Sequence, residues 1–203
     1  MAIVAAQSVS HFFDGIVTDA IRSQGVRATE GATRYLVALL ADYAHPDARA
    51  GEALDRPLTL LLDEAMRVLD AGERFERLRT LGDGVLYGCG FFADHFASRG
   101  VDPTYLRGLG TRAYGAASGM LRQGGETASV ELPDLFEELA DNFGQFANVL
   151  TDVADSTVAM SADSSTGLLK AYERWLRTGS QRLAGALASR GVVPTRGSAG
   201  GLH

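Results

Sequence analysis

Cysteine is nearly missing from the chain: Cys89 is alone among 203 residues. No disulfide can form within it, and a reducing, cytoplasmic setting is the simplest expectation. Cationic charge is also short. Lys and Arg number 19 against 25 Asp and Glu, a net charge of -6, which disfavours nucleic acid and anionic lipid as partners, since both select cationic surfaces. No apolar run reaches the roughly 18 residues of a membrane span. The opening Met-Ala-Ile-Val-Ala-Ala-Gln has neither the length nor the basic start of a secretory leader. Period-two alternation never persists; Val130 to Leu132 is the best stretch and is too short for a strand.

Signatures of chemistry are sparse too. The sequence has no G-x-x-x-x-G-K-[ST], no Glu-x-x-His, no His-x-x-x-His and no G-x-S-x-G. Gly82-x-Gly-x-x-x-Gly88 departs from the dinucleotide fingerprint: its last glycine comes one position late and no strand precedes it. Cys89 and His95 lie six apart and so on different faces of a helix, and Cys89 reads as a small buried hydrophobe. No catalytic residue, metal ligand or cofactor is assigned on these grounds.

What is present is helical periodicity. Val9, Phe12, Phe13, Ile16, Val17, Ala20 and Ile21 mark one face of a first helix, about Ser8 to Gln24, ended by Gly25. A second runs from Glu30 to Tyr43, capped by Thr29 and stopped at His45-Pro46. A third starts near Pro57 and is apolar almost all round, through Leu58, Leu60, Leu61, Leu62, Ala65, Met66, Val68 and Leu69. That pattern suits a central helix or a subunit interface. A fourth spans about Glu73 to Arg99, and a fifth opens with Asp102-Pro103. A loop over Gln123 to Leu132 precedes a sixth helix from Pro133 to near Met160, and a seventh covers about Thr166 to Arg190. The expected fold is all-α: a single-domain bundle of about seven helices over residues 1–191, with helices three to five as its core and a flexible tail, 192–203.

The fourth helix holds the stretch around which the rest is arranged, Leu81-Gly-Asp-Gly-Val-Leu-Tyr-Gly-Cys-Gly-Phe-Phe-Ala-Asp-His-Phe96. Glycine inside a helix costs about 1 kcal/mol against alanine, and close packing is the usual compensation. Gly84 and Gly88 lie four apart, as do Gly115 and Gly119 on the fifth helix, so the two helices are expected to meet through these glycines. Asp83, Tyr87, Asp94, His95 and Tyr114 form a polar set within the same pair. Asp83, Tyr87, His95 and Tyr114 are therefore the candidate ligand-binding residues, the alternative being that Asp83 and Tyr87 satisfy each other at i, i+4.

Charge is segregated further on. Glu131 to Asp163 holds eight acids and no Lys or Arg, whereas Thr166 to Arg190 holds Lys170, Arg174, Arg177, Arg182 and Arg190 against Glu173 alone. Either neighbouring helices pair these charges, or the acids form a docking face for a basic partner.

Three resemblances bear on function. Leu81 to Phe92, Tyr105-Leu-Arg-Gly-Leu-Gly-Thr-Arg-Ala-Tyr114 and Tyr172-Glu-Arg-Trp-Leu-Arg-Thr-Gly-Ser180 resemble segments of uncharacterised bacterial all-helical proteins. This resemblance spans most of the chain but implies no activity and no functional residue. Leu86 to Phe96 is similar to the end of a TetR-type recognition helix, but it sits far from the N-terminus, where that family keeps its DNA-binding module. Leu81-Gly-Asp-Gly resembles the distal helix of heme oxygenases, which implies a heme-like cofactor with His11 as the ligand. His11, however, lies on the polar face and closer to Gly82 than that family's spacing. The leading expectation is a non-enzymatic interaction or regulatory protein that forms a homo-oligomer through helix packing. The alternative is a small-ligand or cofactor binder with its site beside residues 81–96.

Overall fold

A computed structural model describes residues 2–44, 57–124 and 135–195. The expectations for His45, for residues 47–56 and 125–132, for Pro133 and for the tail beyond 195 lie outside these residues. The described residues form helices and connections with no strand. The helices are α1 (Ala2–Gln24), α2 (Glu30–Tyr43), α3 (Leu58–Arg67), α4 (Ala71–Phe91), α5 (Ala93–Ser98), α6 (Pro103–Gly124), α7 (Leu135–Asp141), α8 (Phe143–Ser161), α9 (Ser165–Thr178) and α10 (Gln181–Ala188).

The all-α class is as expected, but the described residues hold ten helices rather than about seven. Three expected helices are each broken once. Residues 73–99 break at Phe92, which leaves helical geometry with φ -122° and ψ 22°. Residues 133–160 break at Asn142, although Asn142 N–H still bonds the Glu138 carbonyl at 3.0 Å. Residues 166–190 break at Gly179, in the left-handed region at φ 68°, and Ser180 caps the next helix by accepting from Leu183 N–H.

The chain divides into two compact units, Met1–Thr151 and Asp152–His203, with the boundary inside α8. In the first unit α4 packs along α6, α7 lies on α6, α1 on α2, and α2 touches α4 and α7. Leu36, Leu40, Leu78, Leu86, Leu139, Phe143, Phe146 and Leu150 are fully buried there, each contributing about 1.5–3 kcal/mol from burial. The third helix lies at the edge of this core rather than at its centre: it packs on α4 and α6 through Leu58 and Ala65. In α3 only Leu58 and Ala65 are buried, while Leu60, Met66 and the following Leu69 are exposed. Of the three helices expected to form the core, α4 and α6 do so, and α7 packs beside them.

A long-range cap fastens α2. Thr29 Oγ1 accepts from Ala32 N–H at 3.1 Å and donates to Glu138 Oε2 of α7 at 2.5 Å, while Thr29 N–H donates to Glu138 Oε1 at 2.8 Å. In a local capping box the returning carboxylate comes from the same helix; here it comes from 109 residues away.

In the second unit Trp175 packs with Ala162, Ala171, Leu183 and Leu187, and Val192 leans on the same cluster. The expected tail at 192 is therefore anchored at its start: Gly191 ends the helical run at φ 76°, and Val192 N–H bonds the Leu187 carbonyl. The segregated charges pair within this unit. Arg174 Nε donates to buried Asp155 Oδ1 at 2.5 Å. Arg182 grips both carboxylate oxygens of Asp152 at 2.8 Å, and Arg190 pairs with Asp163. With Glu137, which pairs with Arg122 of α6, and Glu138 at the α2 cap, five of the eight acids serve neighbouring elements. No helix among the described residues is long and apolar enough to cross a membrane.

Candidate functional site

Asp83 is the point where three helices of the first unit meet. Its Oδ1 accepts from Tyr35 Oη of α2 at 2.6 Å and from Tyr114 Oη of α6 at 2.7 Å. Its Oδ2 lies 3.8 Å from Arg79 Nε, one turn back on α4. A carboxylate can accept about four hydrogen bonds, and two phenols on one oxygen form a compact, charge-assisted set. Tyr114 is fully buried, and the Asp83 side chain is 16% exposed.

Aromatic rings enclose this junction. Phe136 of α7 meets Tyr35 edge-on at 5.7 Å and Tyr114 at 5.9 Å, and Phe75 meets Phe136 at 5.2 Å. Phe143 lies 5.9 Å from Tyr114. Such pairs add about 0.5–1.5 kcal/mol beyond area burial. The low-dielectric setting governs protonation. Burial raises the Asp83 carboxyl above its ordinary value, against the lowering influence of Tyr35, Tyr114 and Arg79. Burial, reinforced by the Asp83 charge, raises Tyr35, Tyr43 and Tyr114, and burial alone raises Tyr87. These phenols remain protonated donors at neutral pH. Burial likewise pushes the Cys89 thiol up to about 11, against the pull of Arg107, so it stays protonated and unreactive at neutral pH.

The four candidate ligand residues are therefore split. Asp83 and Tyr114 come together. Tyr87, one turn beyond Asp83, does not satisfy it: its ring stacks between Tyr43 at 4.3 Å and Phe91 at 4.7 Å. His95 lies beyond the Phe92 break, exposed on α5 with its ring 6.2 Å from Phe96. Asp94, on the same short helix, is half-buried. Tyr35 is the member of the junction that sequence reasoning misses. Its signal is a polar aromatic beside Leu36 and Leu39, with nothing to say which helix it faces.

The close-packing glycines are also redistributed. Gly84 and Gly88 are buried in α4. Gly115 and Gly119 are not a contact: a Cβ at either would meet nothing within 4 Å. This corrects the expected glycine-to-glycine seam. The close approaches fall on Gly82, where a Cβ would lie 2.6 Å from the Tyr114 ring, on Gly90 against Leu150, and on Gly110 against Phe143. Large side chains, rather than a second row of glycines, fill the space the small residues leave.

The Gly82 result bears on the heme-like reading. The space above that glycine is occupied by Tyr114, and His11 is exposed on α1. Among the described residues, no three of His, Cys, Asp and Glu converge as a metal site. Comparison of the chain with protein-family models, with curated proteins and with solved structures finds no match.

Proposed function

We propose that this chain is a non-enzymatic interaction protein that associates with a second copy of itself through α3. The observation that carries this reading is the exposed apolar face of that helix. Leu60 and Met66 are about half exposed, and Leu69, just past its end, is 97% exposed. Exposed aliphatic side chains clustered on one element mark interaction surfaces more often than singly scattered ones do.

A second copy is the occupant that the charges favour. Asp63 and Arg67 pair on the outer surface of α3, with an Arg67 Nη2 to Asp63 Oδ2 distance of 3.0 Å and both side chains largely exposed. A two-fold, antiparallel pairing centred between them sets Asp63 of each copy opposite Arg67 of the other and Leu60 opposite the Leu69 region. The face is therefore complementary to itself, as an isologous interface requires. It is also short, ten residues, against the roughly 20–30 residues a side of a standard interface. A modest, concentration-dependent association is expected from so small a face.

The Asp83 junction fits this reading as a structural tie: its acceptor and both tyrosine donors are satisfied within the protein. Sedimentation velocity across the micromolar range tests the proposal. The expected result is a concentration-dependent dimer that the double substitution Leu60→Glu, Leu69→Glu converts to monomer with helical content unchanged. A wild-type chain that sediments as a monomer throughout overturns it.

A further inference from the structure

A cleft of about 270 Å³ opens among α3, α4 and α6, away from Asp83. Met66 of α3, Leu78 of α4 and Ala116, Gly119 and Met120 of α6 form apolar walls, with Arg74 of α4 and Gln123 of α6 as its polar groups. Positions 116, 119, 120 and 123 follow helical spacing, so one face of α6 makes the floor.

Two features of this cleft suit a guest. The first is Arg74. The other α4 arginines have carboxylates: Arg77 pairs with Glu73 at 2.6 Å, and Arg79 lies 3.5 Å from Glu76 and 3.8 Å from Asp83. The Nε of Arg74 and that of Arg79 are both buried with no hydrogen-bond acceptor among the described residues, but of the two only Arg74 also lacks a nearby carboxylate among them. A buried donor of a charged group left unsatisfied is costly. The second is Gly119. It lies inside a helix, where glycine is unfavourable, yet a Cβ there would meet nothing within 4 Å. The same holds at Gly15, Gly108, Gly115 and Gly185; what distinguishes Gly119 is its place in the cleft wall, where it leaves room for a guest along the α6 backbone.

We propose that this cleft binds a small carboxylic acid with a short apolar tail. The carboxylate accepts from the Arg74 guanidinium, for which a planar, two-oxygen anion is the matching partner. The tail lies along Leu78 and over Gly119, between two methionines whose flexible thioethers adapt to its shape. The volume sits just under the roughly 300–1,000 Å³ of sites for drug-sized ligands, which selects a compact acid. Met66 is shared with the apolar face of α3, so the test is also run in the Leu60→Glu, Leu69→Glu background, where self-association does not move its signal.

The test uses the whole chain labelled with 13C-methyl methionine, titrated with octanoate and, separately, with octanol as its uncharged counterpart. Met66 and Met120 line the cleft, and Met160 of α8 serves as the internal reference. Octanoate is expected to move the Met66 and Met120 methyl signals saturably and leave that of Met160 in place. Arg74→Gln is expected to weaken octanoate about tenfold or more, the loss of one charge-assisted interaction. Gly119→Phe is expected to abolish the response with the helical signal and Tm retained, since its side chain enters open space. Octanol binding as tightly as octanoate, the same affinity in Arg74→Gln, or no saturable shift in the folded wild-type chain overturns the proposal. Should Arg74→Gln fail to fold, Gly119→Phe decides alone: a persisting octanoate shift in that variant overturns it.

Discussion

Asp83 joins α2, α4 and α6 through hydroxyls that have few other places to go. Replacing it with leucine leaves Tyr114 Oη, fully buried, without its acceptor and removes the Tyr35 partner as well. Each orphaned group costs about 1–3 kcal/mol, so Asp83→Leu is expected to lose about 2–6 kcal/mol in urea unfolding at neutral pH. Asp83→Asn keeps an oxygen for both phenols and is expected to behave differently with pH. Burial raises the native Asp83 carboxyl above its ordinary 3.8, so in the window between the two values the native state holds a proton that the unfolded chain has released. Stability from this group is full below the unfolded value and is lost as pH rises through the raised native value. The wild-type minus Asp83→Asn stability difference should therefore fall across that window and then level off. A flat difference, or one that rises with pH, would show that the hydrogen bonds from Tyr35 and Tyr114 outweigh desolvation.

At the scale of elements, the pairing of α4 with α6 rests on particular glycines. Gly82→Ala places a methyl against the buried Tyr114 ring and should destabilise by about 1–3 kcal/mol through overpacking. Gly115→Ala meets open space and should stabilise by about 0.5–1 kcal/mol, the helix-propensity gain alone. Thermal melts of the two variants with the same sign of shift would contradict this assignment. Four-residue spacing in the sequence identifies the right pair of helices but not the contacting faces, because facing depends on how each helix is rotated, which spacing alone leaves free. The breaks show a similar division. Gly179-Ser180 is readable as a left-handed stop followed by an N-cap, yet the apolar period of Leu176 and Leu183 runs through it and masks it. Phe92 has no such local cause; neither it nor the residue on either side is glycine or proline, so only the packed chain reveals that break.

For the whole molecule, self-association through α3 has a thermodynamic signature. Association that requires the folded chain stabilises it by mass action, so Tm should rise with protein concentration in the wild type and stay constant in Leu60→Glu, Leu69→Glu. The helical class is legible from periodicity and from the lack of strand patterns, and the stops at Gly25 and Gly191 from glycine in the left-handed region. The candidate site is half legible. Asp83 and Tyr114 stand out as polar groups on apolar helices, but Tyr35 lies 48 residues from Asp83 and Tyr114 lies 31 away, and no local pattern encodes such meetings. The Thr29–Glu138 cap is the longest of these meetings, at 109 residues, and it sets an order in time. At roughly 5–20 residues per second of synthesis, about 5–20 seconds separate the making of Thr29 from the making of Glu138. Throughout that interval α2 lacks the carboxylate that completes its first turn and the α7 surface on which it packs. Until α4 is made, the Leu36, Leu39 and Leu40 stripe has α1 alone to cover it from among the helices that α2 touches.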